Sequence, residues 1–303
     1  MKSFLSCYLN RVQKTKSVLC VGLDPTANHV PPSFGDGKDI KNLKKYLEAV
    51  IDIAATKVPI VKPQYAYYGA LGVEGIKLLS EIVDYAHKKD LLVIMDAKRA
   101  DIGETMGQYA KEVFEIYGAD ACTFVPYLGS TFNPSWIKYL QEGKNAISMV
   151  RTSNPEATEL QDLKLENGDL VYEKMAKLVN IWDEKARRET NEVGGIGAVV
   201  GATWPEQAEK SRELLGDQVF ALIPGYGAQG GGADGAVAGL PNSKGELVGT
   251  VNSSRGITLT SWFDKNKKEP KVGDPLKHIE TAINEANADL NQALIKKLER
   301  NPY

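Results

Sequence analysis

Asp96, Lys98 and Asp101 crowd the end of the apolar run Leu91, Leu92, Val93, Ile94. Side chains two apart on a strand share a face, so Asp96 and Lys98 leave the strand tip on one side and Ala97 and Arg99 on the other. Flanking acids favour a charged lysine, so the array offers a fixed positive charge and an acid–base group. Lys62 closes a second apolar stretch, where a lysine must either snorkel outward or meet an acid. Asp24 comes after Val21-Gly22-Leu23 and sets a carboxylate at a strand end, although a turn acid before Pro25 reads equally well. Asp101 also has a plain structural reading, since Asp101 and Glu104 fit a capping box that opens a helix. For Asp101 alone the cap is the stronger reading, but it leaves Asp96 and Lys98 unexplained.

A second group of residues suits an anion. Gly225, Gly227 and Gly230 satisfy G-x-G-x-x-G, yet a lone match is weak, and more glycines and Pro241 come where a dinucleotide fold needs a helix. Glycines also let backbone N–H groups approach a phosphate, and Arg255 after Asn252-Ser253-Ser254 can grip phosphate oxygens with a bidentate guanidinium. Together they favour a phosphorylated small molecule over a purely structural loop. Arg151-Thr152-Ser153-Asn154-Pro155 adds hydroxyl and amide donors at another strand end, and by itself is a turn signal. His29, His87 and His278 join no cluster, the last two falling in surface helical patterns. No Ser/His/Asp or Cys/His set and no metal-ligand spacing is present.

The elements that carry these residues alternate from one end of the chain to the other. Short β-rich runs at 18–23, 58–62, 91–96, 121–126, 146–151, 196–201, 219–224 and 247–253 are separated by helical patterns. Ile40, Leu43, Leu47, Val50 and Ala54 share one helical face, as do Met106, Tyr109, Val113 and Ile116. A last helix carries Leu276, Ile279, Ile283, Leu290 and Leu294, with Asp274 as N-cap and Pro275 at its first position. Eight βα units without a composition break favour one closed α/β barrel over residues 1–303. An open doubly wound sheet with a second domain stays open as an alternative, because strand order is not legible in a sequence. Loop insertions at 154–169, 225–245 and 262–274 lie beyond strand C-terminal ends, where a barrel builds its active site. The second reads as a mobile lid.

Composition bounds the partners. The 303 residues are 43% apolar and 25% charged, ordinary for a globular protein with a large core. A formal charge of −2 gives no basic field for nucleic acid and no polybasic patch for a membrane. Cys7, Cys20 and Cys122 are too few and too scattered for a disulfide framework, which favours a reduced, cytoplasmic setting. No run has the pattern of a signal peptide or the length of a membrane span.

These stretches together resemble the orotidine 5′-phosphate decarboxylase family, in its longer-chain branch. Asp96-x-Lys98-x-x-Asp101-Ile102-x-x-Thr105 is similar to the family's central motif. Val21-Gly22-Leu23-Asp24-Pro25, Lys62-Pro63-Gln64, Thr152-Ser153-Asn154-Pro155, Pro224-Gly225-x-Gly227-Ala228-Gln229-Gly230-Gly231 and Asn252-Ser253-Ser254-Arg255 come in the family's order. The resemblance implies a phosphate-binding (β/α)8 TIM barrel, a homodimer without metal or organic cofactor, that converts orotidine 5′-phosphate to uridine 5′-phosphate in pyrimidine biosynthesis. It implies an alternating charged array of Lys62, Asp96, Lys98 and Asp101 of the partner subunit, with Ile102 and Thr105 crossing the interface beside that aspartate. Asp24 would bind the ribose, Ser153 the pyrimidine edge, and Gln229, Arg255 and the backbone at Gly225 and Gly227 the phosphate. Gln64 would lie near the ligand. Ala100, where the branch often has glycine, and Ser254, where shorter relatives have glycine, depart from the pattern without removing a functional group.

On that reading, Lys98 stabilises negative charge at C6 of the pyrimidine and then protonates it, while Asp96 faces the departing carboxylate. Two rivals remain: a metal-dependent sugar-phosphate decarboxylase or synthase on a related barrel, and a non-catalytic barrel that binds a phosphorylated ligand. A nicotinamide oxidoreductase is the weakest reading.

Overall fold

The structure is a computed structural model that describes residues 2–130 and 133–303. Eight parallel strands close on themselves in chain order: β1 (Leu19–Leu23), β2 (Ile60–Pro63), β3 (Leu92–Arg99), β4 (Ala121–Phe124), β5 (Asn145–Arg151), β6 (Gly195–Val200), β7 (Ala221–Ile223) and β8 (Gly249–Ser253). β8 pairs back onto β1, with Leu19 opposite Val251 and Val21 opposite Ser253, which decides for a barrel over an open sheet. Six of the strands are buried along their whole length, β3 and β5 being the exceptions. That burial on both faces is why most of them read as apolar runs rather than alternating ones, β8 with Thr250, Asn252 and Ser253 being the polar exception. Each expected strand is present with shifted ends, and β3 extends furthest, past Asp96 to Arg99.

Helices pack the outer wall. Ile40–Ala54 buries Leu43, Leu47, Val50 and Ala54 as their spacing demands, together with Tyr46 and Ile51. The last helix, Pro275–Leu298, opens with the Asp274 carboxylate accepting from Leu276 N–H at 2.9 Å, and it buries Ile279, Ile283, Leu290 and Leu294. One expected face is corrected. The helix Gly103–Lys111 runs into a π-helical turn, Glu112–Ile116, whose wider winding rotates the side chains at its C-terminal end. Ile116 therefore swings out to 63% exposure, and Phe114 and Tyr117 take the buried positions beside Met106 and Val113.

The N-terminal mouth of the barrel is plugged. Phe4 and Tyr8, from the helix Phe4–Thr15, meet Phe220 edge-on at 5.0 and 4.9 Å, and the Tyr8 hydroxyl donates to the Gly249 carbonyl. Arg11 donates to the carbonyls of Ala55 and Val58 just before β2. With this end filled, the C-terminal mouth is left for chemistry.

The three insertions are more ordered than loops. Within 154–169 lie a 3₁₀ turn, Pro155–Ala157, and a short helix, Thr158–Gln161. Within 262–274 a pair of two-residue strands, Phe263–Asp264 and Glu269–Pro270, hangs from Trp262, which is buried and donates its indole N–H to the Thr258 carbonyl. The segment expected as a lid, 225–245, is part helix. A helix, Ala233–Ala238, comes after the glycines, and 235–242 are buried, so the exposed part shrinks chiefly to the turn at 227–230.

Candidate active site

Asp96 is the hub of the C-terminal mouth. Its Oδ2 accepts from Lys62 Nζ at 2.9 Å and from Gln64 Nε2 at 3.0 Å, while its Oδ1 accepts from Lys98 Nζ at 2.6 Å and from the Thr123 hydroxyl at 2.9 Å. β2 delivers Lys62, the residue after it delivers Gln64, β3 delivers Asp96 and Lys98, and β4 delivers Thr123. The lysine in line with an apolar strand thus meets an acid rather than snorkelling, and its side chain is 5% exposed.

Charge in this cluster is set by the pairing. Burial pushes the Asp96 carboxyl upward, but Lys62 and then Lys98 more than reverse it, holding it well below the usual carboxylate range. Burial pulls the Lys62 ammonium down, and Asp96 with Asp24 outweighs that, leaving it above the ordinary lysine value. Lys98 differs from Lys62 in access, with a side chain 45% exposed to the cleft. Asp96 and Lys62 are therefore held in their charged forms, and Lys98 is the lysine a ligand can reach.

Simple strand alternation does not explain why Asp96 and Lys98 meet. Lys98 has φ +49°, in the left-handed region, and the β3–β4 register slips between Met95 and Arg99. A bulge re-aims a side chain at a strand end, and here it turns Lys98 back onto Asp96. Arg99 then faces the wall, paired with Glu112 at 2.7 Å and stacked on Tyr65 and Tyr109.

The array forms one side of a cleft of about 440 Å³. Asp24, Lys62, Gln64, Asp96, Lys98, Ser153, Gly225, Gln229 and Arg255, all expected at the site, line it; Gly227 stands just outside that lining, in the exposed turn. Asp24 Oδ1 and Asn252 Oδ1 are buried with no hydrogen-bond partner among the described residues, two acceptors suited to hydroxyl or amide donors of a ligand. Met149, Val199 and Leu222, from β5 to β7, supply an apolar floor for a flat ring. Across the mouth, the Ser153 hydroxyl donates to Gln229 Oε1 at 2.7 Å, and Thr203 donates to the Ser153 carbonyl at 2.9 Å. Gly201 lies directly beneath, where a Cβ would sit 2.8 Å from Ser153 Cα.

The glycine turn is built as its composition requires. Gly225, Gly227 and Gly230 adopt φ of +105°, +75° and +92°, conformations that side chains resist. Tyr226 ties this turn to the last helix through Asp289 at 2.7 Å. Arg255 begins a short helix directly after β8, and its guanidinium has no hydrogen-bond partner among the described residues, so it is exposed and available to an anion.

Asp101, Ile102 and Thr105 do not line this cleft. The capping-box expectation for Asp101 is corrected: the helix starts at Gly103 with Ile102 in the cap position, and Asp101 Oδ1 accepts instead from the N–H of its neighbour Ile102 at 2.8 Å. Ile102 is 56% exposed, and Tyr127 and Leu128, past the end of β4, are exposed as well. Thr123 and the apolar floor were not foreseen from residue order, because nothing in a buried strand marks which of its side chains points inward near a ligand, and Tyr67, on the short helix Tyr65–Gly69, was not foreseen either. Thr123 alone carried a signal, a hydroxyl inside an apolar run.

The match to known proteins agrees with this geometry. The chain aligns with the orotidine 5′-phosphate decarboxylase / HUMPS family over residues 17–264. The chain belongs to that family. A relative named orotidine 5′-phosphate decarboxylase, from Halorubrum lacusprofundi, is 36% identical over 292 residues, which cover 93% of this chain and 99% of the relative. Another of that name, from Haloarcula marismortui, is 40% identical over 258 residues, 84% of this chain and 86% of the relative. A solved chain from Toxoplasma gondii, 24% identical with a TM-score of 0.84 and 99% coverage of both chains, shares the fold. The family's matched segment contains every residue of the array and of the cleft, so the orotidine 5′-phosphate decarboxylase resemblance and the site occupy the same part of the molecule.

Proposed function

We propose that this chain decarboxylates orotidine 5′-phosphate to uridine 5′-phosphate in pyrimidine biosynthesis, as one barrel domain acting in a cytoplasmic homodimer without metal or organic cofactor. The observation that carries the reading is the contact of Lys98 Nζ with Asp96 Oδ1 at 2.6 Å, in a cleft that also presents Arg255. Arg255, Gln229 and the glycine turn grip the phosphate, Asp24 takes the ribose hydroxyls, and Ser153, bonded to Gln229, meets the pyrimidine edge. The ring then lies over Met149, Val199 and Leu222 with C6 toward Lys98.

In the reaction, the bond from C6 to the carboxylate carbon breaks and carbon dioxide leaves. Its electron pair stays in the ring plane at C6, where the π system does not delocalise it. The Lys98 ammonium stabilises that pair and donates its proton to C6. Asp96 holds the Lys98 ammonium in place at 2.6 Å and stands beside the departing carboxylate. Phosphate binding at the far end supplies energy to order the exposed turn over the substrate.

The same reading assigns Asp101 of the partner subunit to the end of the array, with Ile102 and Thr105 at the interface. Support comes from their exclusion from the cleft of their own barrel and from the apolar exposure of Ile102, Tyr127 and Leu128. No helix among the described residues is long and apolar enough to cross a membrane.

Spectrophotometric loss of orotidine 5′-phosphate tests the activity, and turnover that persists in EDTA separates it from a metal-dependent relative; no turnover overturns it. Mixing Lys98→Ala chains with Asp101→Ala chains tests the shared site. Each heterodimer has one site free of both defects, so activity is expected to return, and heterodimers that form but stay inactive remove Asp101 from that role.

A further inference from the structure

The register slip in β3 leaves Asp96, Ala97 and Lys98 opposite a single residue of β4, because Met95 pairs with Cys122 and Arg99 with Phe124. That residue is Thr123, fully buried. A bulge takes its own N–H groups out of the ladder, and a buried N–H must find another acceptor. The Lys98 N–H finds it in the Thr123 hydroxyl, at 3.0 Å. With a lone pair committed to that N–H, the hydroxyl proton is directed to Asp96 Oδ1 at 2.9 Å, the oxygen that also receives Lys98 Nζ.

One hydroxyl thus fixes both ends of the pair. It holds the Lys98 backbone in a left-handed conformation that a lysine ordinarily avoids. It also fixes the rotation of the carboxylate on which the ammonium rests. Val125 N–H closes the far side of the bulge on the Arg99 carbonyl at 2.8 Å, and Glu112 holds the Arg99 guanidinium, so Lys98 is the loose residue between two anchors. Thr123 touches the ion pair without lining the cleft.

We infer that Thr123 is a positioning residue: its hydroxyl sets the geometry in which Lys98 meets the reacting carbon, and it does so without contacting substrate. The inference rests on the decarboxylase reading, and it concerns kcat rather than binding, since Arg255, Asp24 and the glycine turn hold the ligand independently of Thr123.

The test compares Thr123→Val, which keeps shape and loses the hydroxyl, with Thr123→Ser, which keeps the hydroxyl. Thr123→Val is expected to lower kcat by about ten- to a hundredfold, the scale of a small misplacement at a reacting centre, with KM and uridine 5′-phosphate affinity within about threefold of the parent. Thr123→Ser is expected to stay within about threefold of the parent in kcat. A smaller loss in Thr123→Val, a KM rise that matches the fall in kcat, or a Thr123→Ser enzyme as impaired as Thr123→Val overturns the inference. Should Thr123→Val not fold, Thr123→Ala against Thr123→Ser is read by the same criteria. Parental turnover is measured first: without it the decarboxylase reading fails and this inference with it, whereas an active parent with an unaffected Thr123→Val removes this inference alone.

Discussion

Buried cations at the two mouths of the barrel are satisfied in opposite ways. At the N-terminal mouth Arg212 donates to the backbone carbonyls of Gly216, Val219, Gly239 and Val248, and it forms no ion pair among the described residues. At the C-terminal mouth Lys62 and Lys98 share one carboxylate, Asp96, and Lys98 keeps nearly half its side chain open to a cleft. Backbone carbonyls cannot move without unfolding the strands and turns that own them, so the first arrangement is a fastener. Side chains that hold only one another can redistribute charge when a ligand arrives, so the second is a tool.

Removing the reachable ammonium should produce the largest effect. Lys98→Ala is expected to lower kcat by on the order of 10⁴-fold or more, while thermal stability stays near that of the parent; stopped assays and a melting curve check both. Arg255→Ala is expected to reduce kcat/KM by a few kcal/mol, roughly a hundredfold, through the lost charge-assisted grip, and unchanged kinetics would take Arg255 out of the site. Arg212→Ala should invert the pattern. Four backbone carbonyls lose a donor, the Val248 carbonyl keeping the Ala221 N–H, so unfolding free energy is expected to fall by about 3 kcal/mol in urea titration, with kcat per folded enzyme unaltered.

Acid and alkali sharpen the contrast least. The folded Asp96 carboxyl lies below its unfolded value of about 3.9, so its contribution to stability is present above that pH and disappears as pH falls toward the folded value. Lys62 is raised, so its contribution is complete below about pH 10.4 and disappears only as pH rises through the folded value. The stability gap between the parent and Asp96→Asn is therefore expected to narrow below about pH 4. A gap that stays constant down through about pH 3 would show that Asp96 does not carry the acid dependence.

Much of this was legible from residue order because a parallel barrel repeats one unit and buries each strand on both faces. Lys62, Asp96, Lys98 and Arg255 announced themselves as charges at the ends of apolar runs. The bulge did not, since its cause is a mismatch between β3 and β4 that exists only once they pair. Thr123 showed only as a hydroxyl inside an apolar run, and its place opposite the bulge appears for the same reason only once the strands pair. Ile116 was misplaced because a π-helical turn inserts a residue without changing the apolar spacing that a 3.6-residue period detects. Asp101 looked like a cap because the sequence offers an acid and a glutamate three apart, while the chain turns into its helix later than that pattern assumes.

The order of strands around the barrel has a consequence for a chain still being synthesised. Lys62, Asp96 and Lys98 are made early, from β2 and β3, whereas the glycine turn and Arg255 come after β7 and β8, and β1 finds its second neighbour only when β8 appears. A nascent chain that has already emitted its own charged array has nothing to hold a phosphate against it. Charged side chains left unshielded on an unclosed sheet edge also resist pairing with the wrong partner. Activity therefore arrives late and all at once, when the last strand closes the ring.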